Sequence, residues 1–309
     1  MDAKWHREVL RRAVRDAIWQ WERCELRVRM LWAWLFLLRS RGSAGFGVSL
    51  HRHLKAHKSC CGQLEPIGSA YVTRIVEVLD FVCQGVTEPV ICRAEDGHEY
   101  IVKGKYAGNR ALIAEWVAGR LGKMLELPIP YFEQLLLDPL IFDYGVQSKQ
   151  AAHLGKGTVF GSRREPNVVE IRPADVPMIE LKLRAQVLAF DWWLMNPDRT
   201  LTEDAGNPNL LWDEARQQLV VMDHNLAFSP SLMGSFWEDH AFREAERLWT
   251  ATFCEDMSAK FSKALSELPE IWAELPEDWT EIPTDLTFAA IEQVLSKPIH
   301  EAKQFWSPR

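Results

Sequence analysis

Strand-forming and helix-forming segments are separated along this chain of 309 residues, and their order limits the folds it can adopt. Between residues 70 and 103 the sequence is rich in β-branched and aromatic residues, which favour strands. A periodic apolar pattern then predicts one helix, and from residue 178 onward the patterns are helical except for one hairpin at residues 209–223. This order predicts an α+β protein in which a β-rich part with one helix precedes a mostly helical part.

The β-rich part contains a hairpin whose second strand leads into the predicted helix. The sequence VICR at residues 90–93 predicts the first strand, and an Asp-Gly turn separates it from a second strand at residues 98–103. Lys103 ends the second strand, directly after three apolar residues. The helix pattern follows in NRALIAEWVAGRLGKMLEL, and Glu115 lies inside it, close to the apolar stripe.

A lysine at a strand end and a glutamate on the next helix are components of a nucleotide-binding site. In such a site the lysine contacts the α- and β-phosphates, and the glutamate holds the lysine in place. The turn CQGVTEP, at residues 83–89, is not a G-x-G-x-x-G loop, so phosphate contacts there would come from backbone N–H groups around Gly85 and from the hydroxyl of Thr87. Lys103 and Glu115 are also compatible with a purely structural role, because both residue types are common at such positions.

Three polar residues flank the hairpin in the helical part. Asp198 precedes the hairpin, Asn209 directly precedes its first strand, LLW, and Asp223 ends its second strand, LVVM. Phosphoryl transfer needs a carboxylate that accepts the proton of the attacking hydroxyl, and hard oxygen ligands for Mg²⁺. We therefore predict Asp198 as the catalytic base and Asn209 and Asp223 as Mg²⁺ ligands. The alternative is that the two aspartates are turn residues and the asparagine is a cap.

Residues from about 64 to 285 resemble the HipA-like kinases, a bacterial branch of the kinase-like superfamily that is similar to the phosphatidylinositol kinases. The resemblance is carried by YIVK followed by AEWVAGRLGKMLELPIP, and by NPDRT, NPNLL and VVMDHNLAF. It implies a two-lobed protein-kinase-like fold, with a β-rich first lobe that contains one helix and a mostly helical second lobe. It also implies ATP and Mg²⁺ as cofactors, and phosphoryl transfer to a Ser/Thr hydroxyl of a protein substrate.

The catalytic segment departs from the usual HipA-like pattern in two respects. Ten residues separate Asp198 from Asn209, where four are usual, so Asn207 is an alternative metal ligand. We prefer Asn209 because a strand follows it at once. Thr200 stands where a histidine is usual. A small-molecule or lipid kinase, and a nucleotide-binding module without catalysis, are the alternative functions.

These assignments divide the chain into three parts. Residues 63–135 are predicted to form the nucleotide-binding lobe, and residues 136–309 the lobe with the catalytic loop, the metal-binding hairpin and the C-terminal helices. Residues 146–175 are polar and contain several glycines, which predicts a loop that is mobile at residues 155–167 in the absence of ligand. Within it Ser162 precedes two arginines that could pair with a phosphate, so it is a possible autophosphorylation site.

Residues 1–62 are predicted to form a basic helical extension with a linker. They contain 13 Lys/Arg and 5 Asp/Glu, whereas the rest of the chain is acidic enough to give a net charge of −7 overall. The acidic body argues against direct nucleic-acid binding. The extension could contact a membrane surface or a partner protein, but its apolar run of nine residues is too short to span a bilayer. Six cysteines without paired spacing favour reduced thiols and a cytoplasmic location.

Overall fold

The structure is a computed structural model that describes residues 72–82, 87–138, 141, 148–202 and 206–307. The predictions for the basic extension at residues 1–62 and for Gly85 lie outside the described residues. Within them the chain combines strands and helices in the predicted order, which confirms a mixed α and β architecture.

Five strands close into a barrel near the start of the described chain. They are β1 (Thr73–Phe81), β2 (Val90–Ala94), β3 (Glu99–Lys103), β4 (Phe132–Leu137) and β5 (Thr158–Arg163). Their order around the barrel is β1-β2-β3-β5-β4, and β1 closes it by pairing in parallel with β4. Alternate residues of β2 and β3 point inward because side chains alternate across a strand. The predicted hairpin at residues 90–103 is confirmed by β2 and β3.

The prediction of a mobile loop at residues 155–167 is wrong, because β5 occupies residues 158–163. This strand is hydrogen-bonded to β3 on one side and to β4 on the other. Its glycine serves packing, since a Cβ on Gly161 would overlap Cδ1 of Leu135 in the barrel core. The barrel therefore includes a strand that lies beyond residue 135, the predicted end of the first lobe.

We expect Gly161→Ala to lower the free energy of unfolding by about 1–3 kcal/mol, because its added methyl group overpacks the barrel. Gly234→Ala is the matched control, since no heavy atom lies within 4 Å of the Cβ that it would add. Urea unfolding of both variants measures the difference. Equal stability of the two variants would contradict the packing role of Gly161.

The helix that carries Glu115 is α1 (Asn109–Met124), and eleven of its sixteen residues are buried. Gly119 and Gly122 let it approach the chain around β4 closely. A Cβ on Gly119 would lie 2.7 Å from the ring of Phe132, and a Cβ on Gly122 would overlap Cδ1 of Ile129. This close packing holds α1 against the barrel and brings Glu115 toward β3.

Most of the remaining chain is helical. The helices are α2 (Ser148–Leu154), α3 (Leu181–Trp193), α4 (Phe236–Asp239), α5 (Ala251–Ser266), α6 (Leu268–Ala273), α7 (Glu277–Thr280), α8 (Phe288–Leu295), α9 (Lys297–His300) and α10 (Ala302–Phe305). Threonine hydroxyls cap α5 and α8 by accepting backbone N–H bonds, as expected at helix N-termini. None of the described helices combines the length and the apolarity that a membrane span requires.

A small antiparallel sheet lies within the helical part. It contains β6 (Val168–Glu170), β9 (Leu210–Asp213) and β10 (Gln218–Val221), in the order β10-β9-β6. Along the chain between α3 and β9, the strands β7 (Thr200–Leu201) and β8 (Gly206–Asn207) form a short antiparallel pair. The strands β9 and β10 confirm the hairpin predicted from the sequence. Asp198 therefore lies before the hairpin, and Asp223 directly after it.

Candidate active site

Three charged side chains from separate elements meet at one point. The Nζ atom of Lys103, at the end of β3, lies 2.6 Å from Oε1 of Glu115 on α1. The same Nζ lies 2.7 Å from Oδ1 of Asp223, two residues beyond β10. Lys103 and Glu115 are almost completely buried, and the Asp223 side chain is 19% exposed. The fold thus brings together three residues that the sequence analysis assigned to nucleotide and metal binding.

Within this cluster, Lys103 and Asp223 stabilise each other's charged form against burial. Burial would lower the pKa of Lys103, but the carboxylates of Asp223 and Glu115 outweigh it, so the pKa is raised. Burial likewise opposes ionisation of Asp223, but the adjacent lysine outweighs it and lowers the pKa. For Glu115 burial dominates and raises the pKa to about 7, although Lys103 opposes the shift. The backbone N–H of His224 donates to Oε2 of Glu115 at 3.0 Å, which links α1 to the residue after Asp223.

Asp198 is held by two asparagine side chains. Nδ2 of Asn207 donates to Oδ1 of Asp198 at 3.1 Å. Nδ2 of Asn209 donates to Oδ2 of Asp198 at 3.1 Å and to its backbone carbonyl at 2.8 Å. Burial raises the pKa of Asp198, and the carboxylate of Asp223 raises it further. Asp198 and Asn209 are therefore in direct contact, the carboxylates of Asp198 and Asp223 lie close enough for their charges to interact, and the exposed Asn207 contacts Asp198 from the other side.

The oxygen atoms of this site suit a hard cation. In the described part of the chain, no group of three or more His, Cys, Asp and Glu side chains is arranged to hold a metal ion. Asn209 and Asp223 would instead offer one amide and one carboxylate oxygen, and Mg²⁺ completes such sets with phosphate oxygens and water. Asn209 and Asp223 both adopt left-handed backbone conformations, with φ of 49° and 56°. Asn and Asp adopt this conformation more readily than other non-glycine residues, and contacts of the surrounding backbone help to hold it.

A buried arginine, which the sequence analysis did not assign to the site, supplies contacts of that kind. Arg199 directly follows Asp198 and is fully buried. Its Nη1 donates to the carbonyl of Asn209 at 2.8 Å and to the carbonyl of Met222 at 3.2 Å. One guanidinium therefore fixes the backbone at Asn209 and the backbone directly before Asp223.

Asp191, on the last turn of α3, neutralises this arginine. Its carboxylate accepts from Nε of Arg199 at 2.6 Å, from Nδ2 of Asn196 at 2.8 Å and bonds Nε2 of His240 at 3.1 Å. Burial would raise the pKa of Asp191, but Arg199 and His240 outweigh it, so the pKa is lowered. The sequence signal for Asp191 was its position beside Phe190 on the apolar side of α3, where a charged residue needs a partner.

A small cavity of about 30 Å³ adjoins the cluster of Lys103, Glu115 and Asp223. Its apolar lining consists of side chains from the barrel and from the chain around the hairpin, namely Ile101, Ile129, Pro130, Phe132, Phe160 and Met222. Ser162 also lines it, on β5, between Ile101 of β3 and Phe132 of β4. Ser162 is thus a strand residue beside the site, and its autophosphorylation stays a prediction. Thr87 lies in the turn before β2, and its phosphate contact likewise stays a prediction.

Comparison with known proteins places the chain in a family. A family model described as HipA-like kinase matches residues 75–309. The chain therefore belongs to the HipA-like kinase family, which confirms the resemblance seen in the sequence. The Helicobacter pylori proinflammatory kinase CtkA is similar in structure, with a TM-score of 0.46 and 10% identity, over 75% of this chain and 96% of that chain. No curated protein matches.

Proposed function

We propose that this chain is a two-lobed, Mg-ATP-dependent kinase that transfers the γ-phosphoryl group to a Ser/Thr hydroxyl of a protein. The observation that carries the proposal is the contact of one lysine, Lys103, with both Glu115 and Asp223. A Lys–Glu pair and a metal-binding aspartate are the parts that kinase chemistry requires together. Asp198 lies close enough to Asp223 for their charges to interact, which supports its role as the base in the same site.

The order of the strands and helices supports the two lobes of this proposal. The barrel and α1 form the nucleotide-binding lobe, which extends to Arg163 because β5 belongs to the barrel. The helices and the β9–β10 hairpin form the catalytic lobe. Lys103 and Glu115 then come from the first lobe, and Asp198, Asn209 and Asp223 from the second. Phosphoryl transfer would occur where these residues meet.

The apolar cavity beside Lys103 is the proposed site of the adenine ring. Ligand sites commonly have volumes of roughly 300–1,000 Å³, so a cavity of about 30 Å³ must widen before a nucleotide can enter. The ion pair of Lys103 with Asp223 lines this cavity and would have to separate, freeing the lysine for phosphate oxygens. Nucleotide binding in this proposal is therefore coupled to rearrangement of the cluster.

Each polar residue then has one role. Lys103 binds phosphate oxygens, and Glu115 orients Lys103. Asn209 and Asp223 would hold Mg²⁺, which supplies positive charge to the phosphates when bound. Asp198 accepts the proton of the acceptor hydroxyl, and its raised pKa makes it a stronger base than an exposed aspartate.

The protein acceptor is proposed from the resemblance to HipA-like kinases. A small-molecule or lipid acceptor is the alternative, since the kinase-like superfamily includes both. The location of label after incubation with labelled ATP distinguishes them, because phosphoprotein, phospholipid and small phosphorylated molecules separate by size and solubility.

We expect Lys103→Ala and Asp223→Ala each to weaken Mg-ATP binding by roughly 10–100-fold, through loss of charge-assisted contacts of about 1.5–3 kcal/mol. Lys105→Ala is the matched control, because Lys105 is an exposed lysine two residues further along the same segment. Titration calorimetry with Mg-ATP measures the affinities, and a melting curve for each variant confirms folding. Wild-type affinity in both site variants, with lowered melting temperatures only, would contradict the proposed nucleotide site.

A further inference from the structure

Arg110 joins the helix that carries Glu115 to the chain that follows Asp223. It lies in the first turn of α1, and its side chain is 27% exposed. Its Nη1 donates to the carbonyl of Asn225 at 3.2 Å. Its Nη2 contacts three further acceptors, namely the carbonyls of Ala227 at 3.2 Å and Phe228 at 3.3 Å, and Oγ of Ser229 at 2.8 Å. We refer to residues 225–229 as the post-aspartate segment.

The post-aspartate segment needs such a partner because it has no regular secondary structure. Phe228 adopts a left-handed backbone conformation with φ of 62°, which is unfavourable for a bulky residue. Its N–H donates to the carbonyl of Leu194, beyond the end of α3. The carbonyls of Asn225, Ala227 and Phe228 therefore converge on Arg110. The N–H groups of Phe228 and Ser229 instead donate to carbonyls just beyond the end of α3. A planar guanidinium with five donors can satisfy several carbonyls at once, which a lysine ammonium does less well.

The two parts of the chain that Arg110 joins lie next to Glu115 and Asp223, the two carboxylates that contact Lys103. Glu115 lies five residues after Arg110 on α1, and Asp223 lies two residues before the post-aspartate segment. A movement of α1 relative to this segment would change both distances from Lys103. The hydrogen bond from the His224 N–H to Glu115 is one link between α1 and the chain that follows Asp223, and the bonds of Arg110 to the post-aspartate segment are a second.

We propose that Arg110 is a positioning residue of the phosphoryl-transfer site, which holds α1 and the post-aspartate segment in the register that Lys103, Glu115 and Asp223 require. This inference rests on the proposed function. Arg110 acts through these residues, and its own hydrogen bonds go to the post-aspartate segment and to Asp285.

Arg120 provides a matched control on the same helix. Its Nη2 lies 2.7 Å from Oε1 of Glu274, so it also ties α1 to the C-terminal helices. The ion pair of Arg110 with Asp285 is similar in kind, with 3.3 Å between Nε and Oδ1. Only Arg110 of these two arginines also binds the post-aspartate segment. Replacing each by alanine therefore separates a general loss of packing from a loss of register in the site.

We expect Arg110→Ala to lower kcat/KM for ATP by roughly 10–100-fold, since displacement of site groups by about 1 Å can cost this much. Arg120→Ala should stay within about twofold of wild type. Arg110→Lys should recover part of the loss, because an ammonium can still bind one or two of the carbonyls. The same three variants should differ in hydrogen exchange without nucleotide, with faster exchange at residues 226–229 in Arg110→Ala and not in Arg120→Ala.

Each outcome of these measurements bears on the proposal. Equal losses of kcat/KM in Arg110→Ala and Arg120→Ala would overturn it, because the effect would then be general. Faster exchange of the post-aspartate segment with unchanged kcat/KM would also overturn it, since the contact would be structural only. Hydrogen exchange requires no catalysis. If wild-type protein neither binds Mg-ATP nor transfers phosphate, the proposed function fails, and the exchange result then describes a structural contact.

Discussion

Asp198→Ala is expected to bind Mg-ATP with nearly wild-type affinity and to lose turnover by roughly 10²–10⁴-fold, the usual contribution of a positioned base. The reason is that Asp198 has different contacts from the residues proposed to bind the nucleotide and the metal. Lys103 contacts Glu115 and Asp223, whereas the Asp198 carboxylate accepts hydrogen bonds from Asn207 and Asn209. Removal of Asp198 should therefore spare nucleotide binding and remove the group that accepts the hydroxyl proton.

A turn aspartate supplies the control for Asp198→Ala. Asp96 accepts the N–H of His98 and the hydroxyl of Tyr100 in the β2–β3 turn, away from the cluster of Lys103. Asp96→Ala should cost about 1 kcal/mol of stability, the typical cost of a point substitution, and leave turnover unchanged. If Asp198→Ala behaves in the same way, Asp198 is a turn residue and the catalytic assignment is wrong. Calorimetry, steady-state kinetics and a melting curve on both variants give the comparison.

Asp191→Ala is expected to lower the free energy of unfolding by about 3–5 kcal/mol, because it leaves the buried guanidinium of Arg199 without its counterion. Asp191 and Arg199 have no exposed side-chain surface, so solvent cannot replace the lost contact. The loss should also release the carbonyls of Asn209 and Met222, which Arg199 holds. Since total stability of a domain is typically about 5–15 kcal/mol, this single change should be visible as a large fall in the urea midpoint.

An exposed ion pair is the control for Asp191→Ala. Glu77 and Arg93 contact each other on the barrel with about half of each side chain in solvent, and Glu77→Ala should cost about 0–1 kcal/mol. A loss as small in Asp191→Ala would contradict the structural role of the buried pair.

The stabilising effect of Asp191 should depend on pH, because its pKa is lowered in the folded protein. Its contribution should be complete above the ordinary aspartate pKa and be lost as the pH falls below it.

Local patterns in the sequence predicted the elements that depend on short-range periodicity. The β2–β3 hairpin, the helix α1 and the β9–β10 hairpin have clear alternation or helical stripes, and the structure has all three. Asn209 and Asp223 could be selected because they flank the β9–β10 hairpin, and Asp198 because it precedes that hairpin in the chain. Their mutual contacts could not be predicted from spacing, since they depend on how the chain folds between Asp198 and Asn209.

The strand β5 and the roles of Arg199 and Arg110 were not predicted from the sequence, because they depend on long-range strand pairing and on the burial of charge. The strand β5 contains Gly161, Ser162 and Arg163, which favour loops when considered alone, and it becomes a strand because β3 and β4 lie on both sides. Arg199 and Arg110 belong to a residue type that usually lies at the protein surface. Their roles depend on carbonyl groups that only the folded chain brings to them.

Transfer of the γ-phosphoryl group of labelled ATP tests the central claim most directly. Purified protein is incubated with labelled ATP and Mg²⁺, alone and with a lysate of the source organism, beside Asp198→Ala and a sample with excess chelator. We predict label in this protein or in a discrete lysate protein with wild type only, and none with the variant or the chelator. Equal labelling by Asp198→Ala, or no transfer to protein, lipid or small molecule by folded wild-type protein, would contradict the assignment of this chain as a Mg-ATP-dependent kinase with Asp198 as its base.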